Sequence, residues 1–330
     1  MKNILCQLFE HKTLDREQSK SVLLQIAQGA FNPVQVASFI TVYQMRTITL
    51  PELLGFSDAL LELCVPLEGQ DTEAIDIVGT GGDGKNTFNI STLAAVVVAG
   101  AGYKVVKHGN YGVSSAVGSS NVLEAMGYRF TSDTDLLRLQ LDRAGLCFLH
   151  APLFHPALKE VAPIRRQLGM KTFFNMLGPL VNPLQPKYQL LGTYSLELSR
   201  LYQYAMQERG RQYAIVYGLD GYDEVSLTGA FRLRTDSSER LLQPEDLGLP
   251  RYAPSELDGG ETPAAAAKIF EQVLENRATP AQRDVVIANA GLAIYAMKPG
   301  SAFGDCLVEA RESLVGGKAL RTFKALLVNN

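Results

Sequence analysis

The amino-acid sequence predicts an α/β protein: a small all-helical N-terminal domain followed by a larger α/β domain with a mostly parallel central sheet. Two observations predict this fold class. Roughly the first 65 residues carry helix-cap signals and apolar residues at helical spacing, and no strand signal interrupts them. After them, short apolar strands alternate with helical segments, which is the order typical of a parallel sheet with helices on its faces.

Cap residues predict where the N-terminal helices begin. Thr13 is predicted to cap the first long helix, because a threonine hydroxyl accepts a hydrogen bond from a free backbone N–H. Asn32 followed by Pro33 combines a cap residue with proline at the first helical position. Thr49 and Glu52 have the spacing of a capping box. The pattern therefore predicts several short helices.

The alternating part of the chain contains four clear strand patterns. They are AIDIV at residues 74–78, YKVVKH at 103–108, LCFLH at 146–150 and QYAIVYG at 212–218. Helical patterns occupy residues 91–100, 120–127, 134–145, 264–276, 284–297 and 318–328. Residues 243–263 are rich in proline, and we expect them to be weakly structured.

Two domains follow from these patterns. We expect residues 1–69 to form the helical domain and residues 70–330 to form the α/β domain. Residues 155–186 are turn-rich, and their helical pattern over 155–169 is interrupted by Pro163. We interpret residues 155–186 as a crossover, part of which joins the helical domain.

Composition and charge limit the classes of function. Apolar residues make up 46% of the chain and the net charge is −3, which is typical of a globular protein and argues against nucleic acid as a partner. The four cysteines form no CxxC pair, so disulfides and cysteine-bound metals are not expected. The N-terminus lacks a secretory pattern and no apolar stretch is long enough to cross a bilayer. We expect a cytoplasmic protein with no membrane partner.

A glycine-rich loop, GTGGDG at residues 79–84, follows the first predicted strand and precedes a helix. Glycines let another group approach the backbone, and the free N–H groups at the start of a helix attract phosphate. Asn89, Ser91 and Thr92 add side-chain donors there. A tight strand–helix turn, with glycines that serve packing alone, explains the loop equally well.

The loop does not match the common nucleotide-binding patterns. No Gly-Lys-Ser/Thr sequence ends it, and its spacing is not GxGxxG. No acidic residue that could hold a ribose hydroxyl stands at the end of the second strand, where the chain has KHGN at residues 107–110. A lysine beside a glycine loop favours an anionic ligand over a nicotinamide cofactor.

Six motifs in order connect this loop to a known family. With GTGGDG, they are NIST at 89–92, KHGN at 107–110, GSSNVLEAMG at 118–127, RRQLGMKTFFNMLGPLVNP at 165–183 and DGYDE at 220–224. Together they resemble the anthranilate phosphoribosyltransferases over nearly the whole chain. The resemblance implies transfer of the 5-phosphoribosyl group from phosphoribosyl pyrophosphate to anthranilate in tryptophan biosynthesis, a requirement for Mg²⁺, and a homodimer formed through the helical domain.

The resemblance also assigns binding residues. Those for phosphoribosyl pyrophosphate are Gly79, Thr80, Gly81, Gly82, Asp83, Thr87, Asn89, Ser91, Thr92, Lys107 and Ser119. Those for anthranilate are Gly79, His108, Asn110, Arg165 and Gly178, and those for magnesium are Ser91, Asp223 and Glu224.

No catalytic nucleophile is expected, because the aromatic amine of anthranilate is already neutral at pH 7. His108 can be a general base or a neutral wall residue. Arg165 suits a carboxylate, although its neighbour Arg166 offers the same chemistry.

The chain departs from the family pattern in three places. The family usually has arginine after KHGN, where this chain has Tyr111, and alanine-aspartate where this chain has Ser120 and Asn121. The strand before DGYDE commonly ends in histidine, and Tyr217 stands there. The first departure removes a cation near the expected acceptor and bears on how the acceptor is held.

Three other functions stay open at this point. A pyrimidine nucleoside phosphorylase shares the fold and also cleaves at an anomeric carbon, but its lysine motif is KHS-like and its chain is usually longer. A relative that binds nucleic acid instead of catalysing is opposed by the acidic balance and by the intact Asp223-Glu224 pair. The same enzyme chemistry with another aromatic amine is the third.

Overall fold

The computed structural model of the chain describes residues 1–67, 73–112 and 117–328 and forms two compact units. The first unit combines Met1–Leu67 with Ala151–Pro183, and the second combines Glu68–His150 with Leu184–Asn330. The predicted boundary between residues 69 and 70 lies outside the described residues.

The first unit is helical. Its helices are α1 (Lys2–Phe9), α2 (Arg16–Ala27), α3 (Pro33–Met45), α4 (Leu50–Glu62), α8 (Ala151–Phe154) and α9 (Ala162–Leu168), with 3₁₀ turns at Pro156–Lys159, Phe173–Met176 and Gly178–Leu180. The predicted capping box of Thr49 and the cap of Asn32 are both present. The Thr13 prediction is wrong, because α2 is capped by Asp15, whose carboxylate accepts the Gln18 N–H at 2.8 Å.

Pro163 explains why residues 155–169 do not form one helix. Proline cannot donate a backbone hydrogen bond and is tolerated only in the first turn of a helix. Pro163 accordingly stands in the first turn of α9, and a separate 3₁₀ turn precedes that helix. The interrupted pattern is thus two elements.

Aromatic side chains join the two parts of the chain that form the first unit. Phe173 packs against Phe56 and Tyr43, with ring centroids 4.8 and 4.9 Å apart. Phe39 and Phe56 are fully buried. Burial of such rings supplies much of the hydrophobic stabilisation of a small helical unit.

The second unit contains a seven-stranded sheet in the order β3-β2-β1-β4-β5-β6-β7. Its strands are β1 (Ile75–Gly79), β2 (Val105–Gly109), β3 (Leu146–His150), β4 (Tyr188–Gly192), β5 (Gln212–Gly218), β6 (Phe231–Thr235) and β7 (Glu239–Leu242). The first five in the sheet are parallel, and β6 and β7 are antiparallel. The predicted fold class is confirmed, although the sequence patterns did not identify β4, β6 or β7.

Helices cover this sheet. They are α5 (Ile90–Gly100), α6 (Ser119–Ala125), α7 (Thr134–Ala144), α10 (Leu196–Glu208), α11 (Pro263–Leu274), α12 (Pro280–Met297), α13 (Phe303–Val315) and α14 (Lys318–Val328). Most residues of α5 and α12 are buried, so these two helices form the centre of the core. No helix in the described part of the chain combines the length and apolar character that crossing a bilayer requires.

Residues 243–263 are more ordered than their proline content predicts. They contain 3₁₀ turns at Pro244–Leu247 and Pro254–Leu257. Phe88 N–H donates to the Leu257 carbonyl at 3.0 Å, and Gly259 N–H donates to the Asn86 carbonyl at 2.8 Å. Residues 243–263 therefore form backbone hydrogen bonds with the segment that follows the glycine loop.

Candidate active site

The glycine loop is shaped by a carboxylate from a distant part of the chain. Gly79 ends β1 and Gly192 ends β4, and the two are register partners in the sheet. A β-carbon at Gly79 would collide with the Asp223 carboxylate, and one at Gly192 would collide with the Asp223 carbonyl. Gly81 and Gly82 have φ of +63° and +77°, which side chains rarely adopt. The glycines thus allow Asp223 to lie against the backbone.

Asp223 and Glu224 both bond to the segment that begins with this loop. The Gly81 N–H donates to Asp223 Oδ2 at 2.7 Å. The Thr87 hydroxyl donates to Glu224 Oε1 at 2.8 Å. A pocket at the carboxyl ends of β1, β4 and β5 is lined by both carboxylates together with Gly79, Ser91, Gly192 and Asn289. This edge of a parallel sheet is where ligands of such folds bind.

The electrostatics of this pocket favour a cation. Burial, followed by the negative charge of Asp83, raises the pKa of Asp223 to about 6. Burial, followed by the charge of Asp223, raises the pKa of Glu224 well above its usual range. Two adjacent half-buried carboxylates are costly to ionise unless a positive charge compensates them.

Lys107 supplies a positive charge close to Ser91, one of the residues that line this pocket. It lies on β2 and is 2% exposed, and its ammonium group donates to the Ile77 carbonyl and to Ser91 Oγ at 3.3 Å. Burial lowers its pKa to about 8, against the opposing effect of Asp76. The neighbouring His108 is also buried, and its backbone N–H donates to Asp76 Oδ1 at 3.1 Å.

The other predicted donors lie along the loop and the start of α5. Thr80 N–H donates to the Gly192 carbonyl at 3.0 Å, and Asp83 Oδ1 accepts from Lys85 N–H at 3.0 Å. Asn89 precedes α5 and its amide donates to the Val117 carbonyl at 3.4 Å. The Thr92 hydroxyl is buried. These residues belong to the second unit, as do Asp223 and Glu224.

Asn110 and Ser119 are brought together at the ends of β2 and α6. Ser119 Oγ donates to the Asn110 carbonyl at 3.1 Å, and Ser120 N–H donates to the same oxygen at 3.2 Å. A β-carbon at Gly109 would approach Ser119 Oγ to 2.5 Å. The KHGN motif and the start of α6 therefore form one connected structure.

Arg165 and Gly178 lie in the first unit. Arg165 is half-buried, whereas Arg166 is exposed. The Arg165 guanidinium donates to Asn175 Oδ1 at 3.2 Å and lies 5.2 Å from the centroid of the Phe174 ring. Burial lowers its pKa. Gly178 opens a 3₁₀ turn, and a β-carbon there would meet open space.

Sequence reasoning missed two residues that support the carboxylates. Asn289 of α12 accepts the Val225 N–H at 3.1 Å and donates to the Val225 carbonyl at 2.8 Å, which fixes the segment after Glu224. A single amide within the apolar helical pattern 284–297 is a signal that could have identified it. Gly192 gave no such signal, because its strand was not recognised.

The oxygen atoms present suit magnesium held jointly with a phosphorylated ligand. Within residues 1–67, 73–112 and 117–328, no group of three or more histidine, cysteine, aspartate or glutamate side chains could hold a metal ion. The pocket offers two carboxylates and the Ser91 hydroxyl. Mg²⁺ prefers hard oxygen ligands and usually takes one or two protein carboxylates, with phosphate and water completing its shell.

Comparisons with known proteins cover almost the whole chain. Residues 2–64 match the helical bundle domain of a glycosyl transferase family, and residues 71–320 match its α/β domain. The chain is 56% identical to the anthranilate phosphoribosyltransferase of Cytophaga hutchinsonii over 98% of this chain and 99% of that one. It is 54% identical to that of Bacteroides thetaiotaomicron over 100% and 99%.

Solved structures agree with the sequence comparisons. The anthranilate phosphoribosyltransferase of Thermus thermophilus matches with a TM-score of 0.92 and 32% identity over 98% of each chain. That of Saccharomyces cerevisiae in complex with phosphoribosyl pyrophosphate and magnesium matches with a TM-score of 0.89 and 27% identity, over 98% of this chain and 96% of that one. The same yeast enzyme in complex with 4-fluoroanthranilate has a TM-score of 0.88 at 27% identity and the same coverage.

Proposed function

The chain belongs to the anthranilate phosphoribosyltransferase family, and we infer that it transfers the 5-phosphoribosyl group from phosphoribosyl pyrophosphate to the amine of anthranilate. The products are N-(5-phosphoribosyl)anthranilate and pyrophosphate, and the reaction belongs to tryptophan biosynthesis. One observation carries this conclusion: the Asp223 and Glu224 carboxylates meet a bare glycine loop in one pocket, in a chain that matches the family over its full length.

We propose that the second unit binds the donor. The residues assigned to phosphoribosyl pyrophosphate are Gly79, Thr80, Gly81, Gly82, Asp83, Thr87, Asn89, Ser91, Thr92, Lys107 and Ser119. The glycines let phosphate oxygens approach the backbone, and the buried Lys107 offers positive charge.

Ser91, Asp223 and Glu224 are proposed to hold Mg²⁺, and the yeast relative solved with magnesium and phosphoribosyl pyrophosphate supports this. Bound there, the ion supplies Lewis-acid stabilisation of the pyrophosphate leaving group. The raised pKa values of both carboxylates support a cation site, since a cation offsets the cost of ionising them.

Catalysis is proposed to rest on alignment and charge stabilisation. The anomeric C–O bond of the donor breaks and a C–N bond to the anthranilate amine forms, after which the amine loses its proton. Negative charge develops on pyrophosphate, and the Lys107 ammonium group, which contacts Ser91 Oγ, is proposed to stabilise it. The neutral amine needs no covalent intermediate, so the residues act by orienting the two reactants.

Gly79, His108, Asn110, Arg165 and Gly178 are proposed to bind anthranilate, an assignment that rests on the family resemblance. Arg165 is the proposed partner of its carboxylate, because guanidinium forms two parallel hydrogen bonds with such a group. His108 is proposed as a wall residue: it is buried, and proton loss after the transition state needs no strong base.

We also propose a cytoplasmic homodimer formed through the helical unit. Phe9, Val34 and Met45 are 62%, 75% and 85% exposed on that unit, and large exposed apolar side chains favour a protein interface. All four cysteines are free, which suits a reducing compartment. Sedimentation equilibrium of the wild type and of Met45→Glu tests the dimer: a monomeric wild type would contradict it.

The decisive measurement is pyrophosphate release with phosphoribosyl pyrophosphate and Mg²⁺, with and without anthranilate. We expect release that depends on anthranilate. Folded protein without such turnover would contradict the proposed function. Phosphorolysis of thymidine or uridine would instead favour the nucleoside phosphorylase, and salt-dependent binding of single-stranded DNA would favour a nucleic-acid-binding relative.

A further inference from the structure

A group of five side chains beside the KHGN motif has no part in the function described so far. This group, the Tyr111 cluster, consists of Tyr111, Ser120, Glu124, Phe130 and His150. The Tyr111 hydroxyl donates to Glu124 Oε1 at 2.8 Å, and its ring meets His150 edge-on with centroids 4.8 Å apart. The Phe130 ring stacks on the His150 ring with centroids 4.4 Å apart, and Ser120 Oγ lies 2.9 Å from His150 Nδ1.

The cluster connects three elements of the second unit. Tyr111 follows β2, Ser120 and Glu124 belong to α6, and His150 ends β3. His150 is 5% exposed, so the ring against which Tyr111 packs is firmly enclosed. Aromatic contacts of this kind add to stability beyond the area they bury, and tyrosine loses little conformational entropy when fixed.

Two of the three departures from the family pattern contribute a residue to this cluster. Tyr111 and Ser120 both contact His150. Asn121, the other half of the second departure, accepts the N–H groups of Gly112 and Gly118, each at 3.0 Å. The unusual residues are therefore joined in one structure, although they are separated in the sequence.

That structure holds Asn110 from both sides. The Tyr111 N–H donates to Asn110 Oδ1 at 2.8 Å, so the placement of Tyr111 sets the orientation of the amide. The Asn110 carbonyl accepts from Ser119 and Ser120 at the start of α6. A shift of the Tyr111 backbone would therefore disturb the Asn110 amide directly.

We propose that Tyr111 is a positioning residue for the acceptor: anchored on Glu124 and His150, it orients Asn110 toward anthranilate in place of the cation that the family carries there. This inference rests on the proposed function, which assigns Asn110 to anthranilate. It predicts that Tyr111 governs the binding of anthranilate and not that of phosphoribosyl pyrophosphate.

The test compares Tyr111→Ala, which removes both anchors, with Tyr111→Phe, which keeps the ring and loses the bond to Glu124. Tyr204→Ala is the matched control, because Tyr204 is 52% exposed on α10. We expect the alanine variant to raise the KM for anthranilate about tenfold and the phenylalanine variant about threefold. The KM for phosphoribosyl pyrophosphate should stay within about twofold of wild type in both.

A double-mutant cycle tests the anchor itself. If Tyr111 acts through Glu124, Tyr111→Phe combined with Glu124→Gln should raise the KM for anthranilate no further than either change alone. Additive effects, equal changes in both KM values, or an unchanged KM for anthranilate in the alanine variant would overturn the proposal. These results require an active wild type, so they are distinct from failure of the proposed function, in which the wild type itself shows no anthranilate-dependent turnover.

Discussion

Gly79 and Gly192 lack the side chains that would collide with Asp223, and this absence is a structural requirement of the pocket. Both glycines end parallel strands at the same register, so the space above them belongs to one edge of the sheet. The sequence indicated that Gly79 accommodates a close approach. It did not indicate that an aspartate 144 residues away makes that approach (223 less 79), because such a contact depends on the full sheet order.

The first prediction concerns Gly79→Ala. The added β-carbon should push the Asp223 carboxylate away from the Gly81 N–H and lower kcat/KM for phosphoribosyl pyrophosphate by at least about tenfold. Gly304→Ala is the matched control, because a β-carbon there meets open space. Steady-state kinetics of both variants at saturating anthranilate make the comparison. Equal activity of the two would show that the close approach of Asp223 is unimportant.

The second prediction concerns the two carboxylates. Asp223→Asn with Glu224→Gln removes two half-buried carboxylates whose pKa values are raised by desolvation. Without Mg²⁺ the variant should therefore melt no lower than the wild type. Mg²⁺ with phosphoribosyl pyrophosphate should raise the Tm of the wild type and have little effect on the variant, because a ligand stabilises only the state that binds it. Thermal melts with and without Mg²⁺ test this. Equal stabilisation of both proteins would refute the metal assignment.

At the scale of helices and strands, features set by residues close together in the sequence were predicted better than features that depend on distant parts of the chain. The caps of Asn32 and Thr49 are set by residues three positions apart, and both were recognised. The sequence pattern predicted Thr13 as a cap, whereas the folded chain uses Asp15, another residue whose side chain can cap a helix. β6 carries Arg232 and Arg234, whose charges concealed a strand that pairs with β5.

The third prediction concerns α12, which supports the carboxylate segment. Asn289→Leu would leave the Val225 N–H and carbonyl buried without their partner. We expect the free energy of unfolding to fall by about 3 kcal/mol, because each unpaired buried polar group costs about 1–3 kcal/mol. Urea denaturation measures it. A loss under about 1 kcal/mol would show that water or a shifted backbone replaces the asparagine.

At the scale of the whole molecule, the fold class followed from the pattern of helices and strands, and the function followed from the order of motifs along the chain. What the order could not supply was the set of contacts that hold the site. Lys107 and Ser91 were assigned to one ligand, but their direct hydrogen bond at 3.3 Å depends on how β2 lies beside α5. Likewise, Tyr111 was noted only as a missing cation, and its anchors on Glu124 and His150 appear only in the folded chain.

The stability of the folded chain at acid pH should depend on His155. This residue is 2% exposed, and its Nε2 atom lies 2.9 Å from the Val181 carbonyl oxygen. Burial lowers its pKa to about 4, below the 6.5 of an unfolded chain. As pH falls from about 6.5 to 4, His155 is therefore protonated in the unfolded state but stays neutral in the folded state. Over this pH range the histidine destabilises the fold by up to about 3 kcal/mol.

His155→Gln should remove that dependence, because glutamine can donate to the Val181 carbonyl but does not titrate. Urea denaturation at pH 7.5 and pH 5 measures the effect. We expect the wild type to lose more stability than the variant between these two values, since only the wild type takes up a proton on unfolding at His155. Parallel losses would mean that carboxylates elsewhere in the chain set its acid stability, and that the buried imidazole has no part in it.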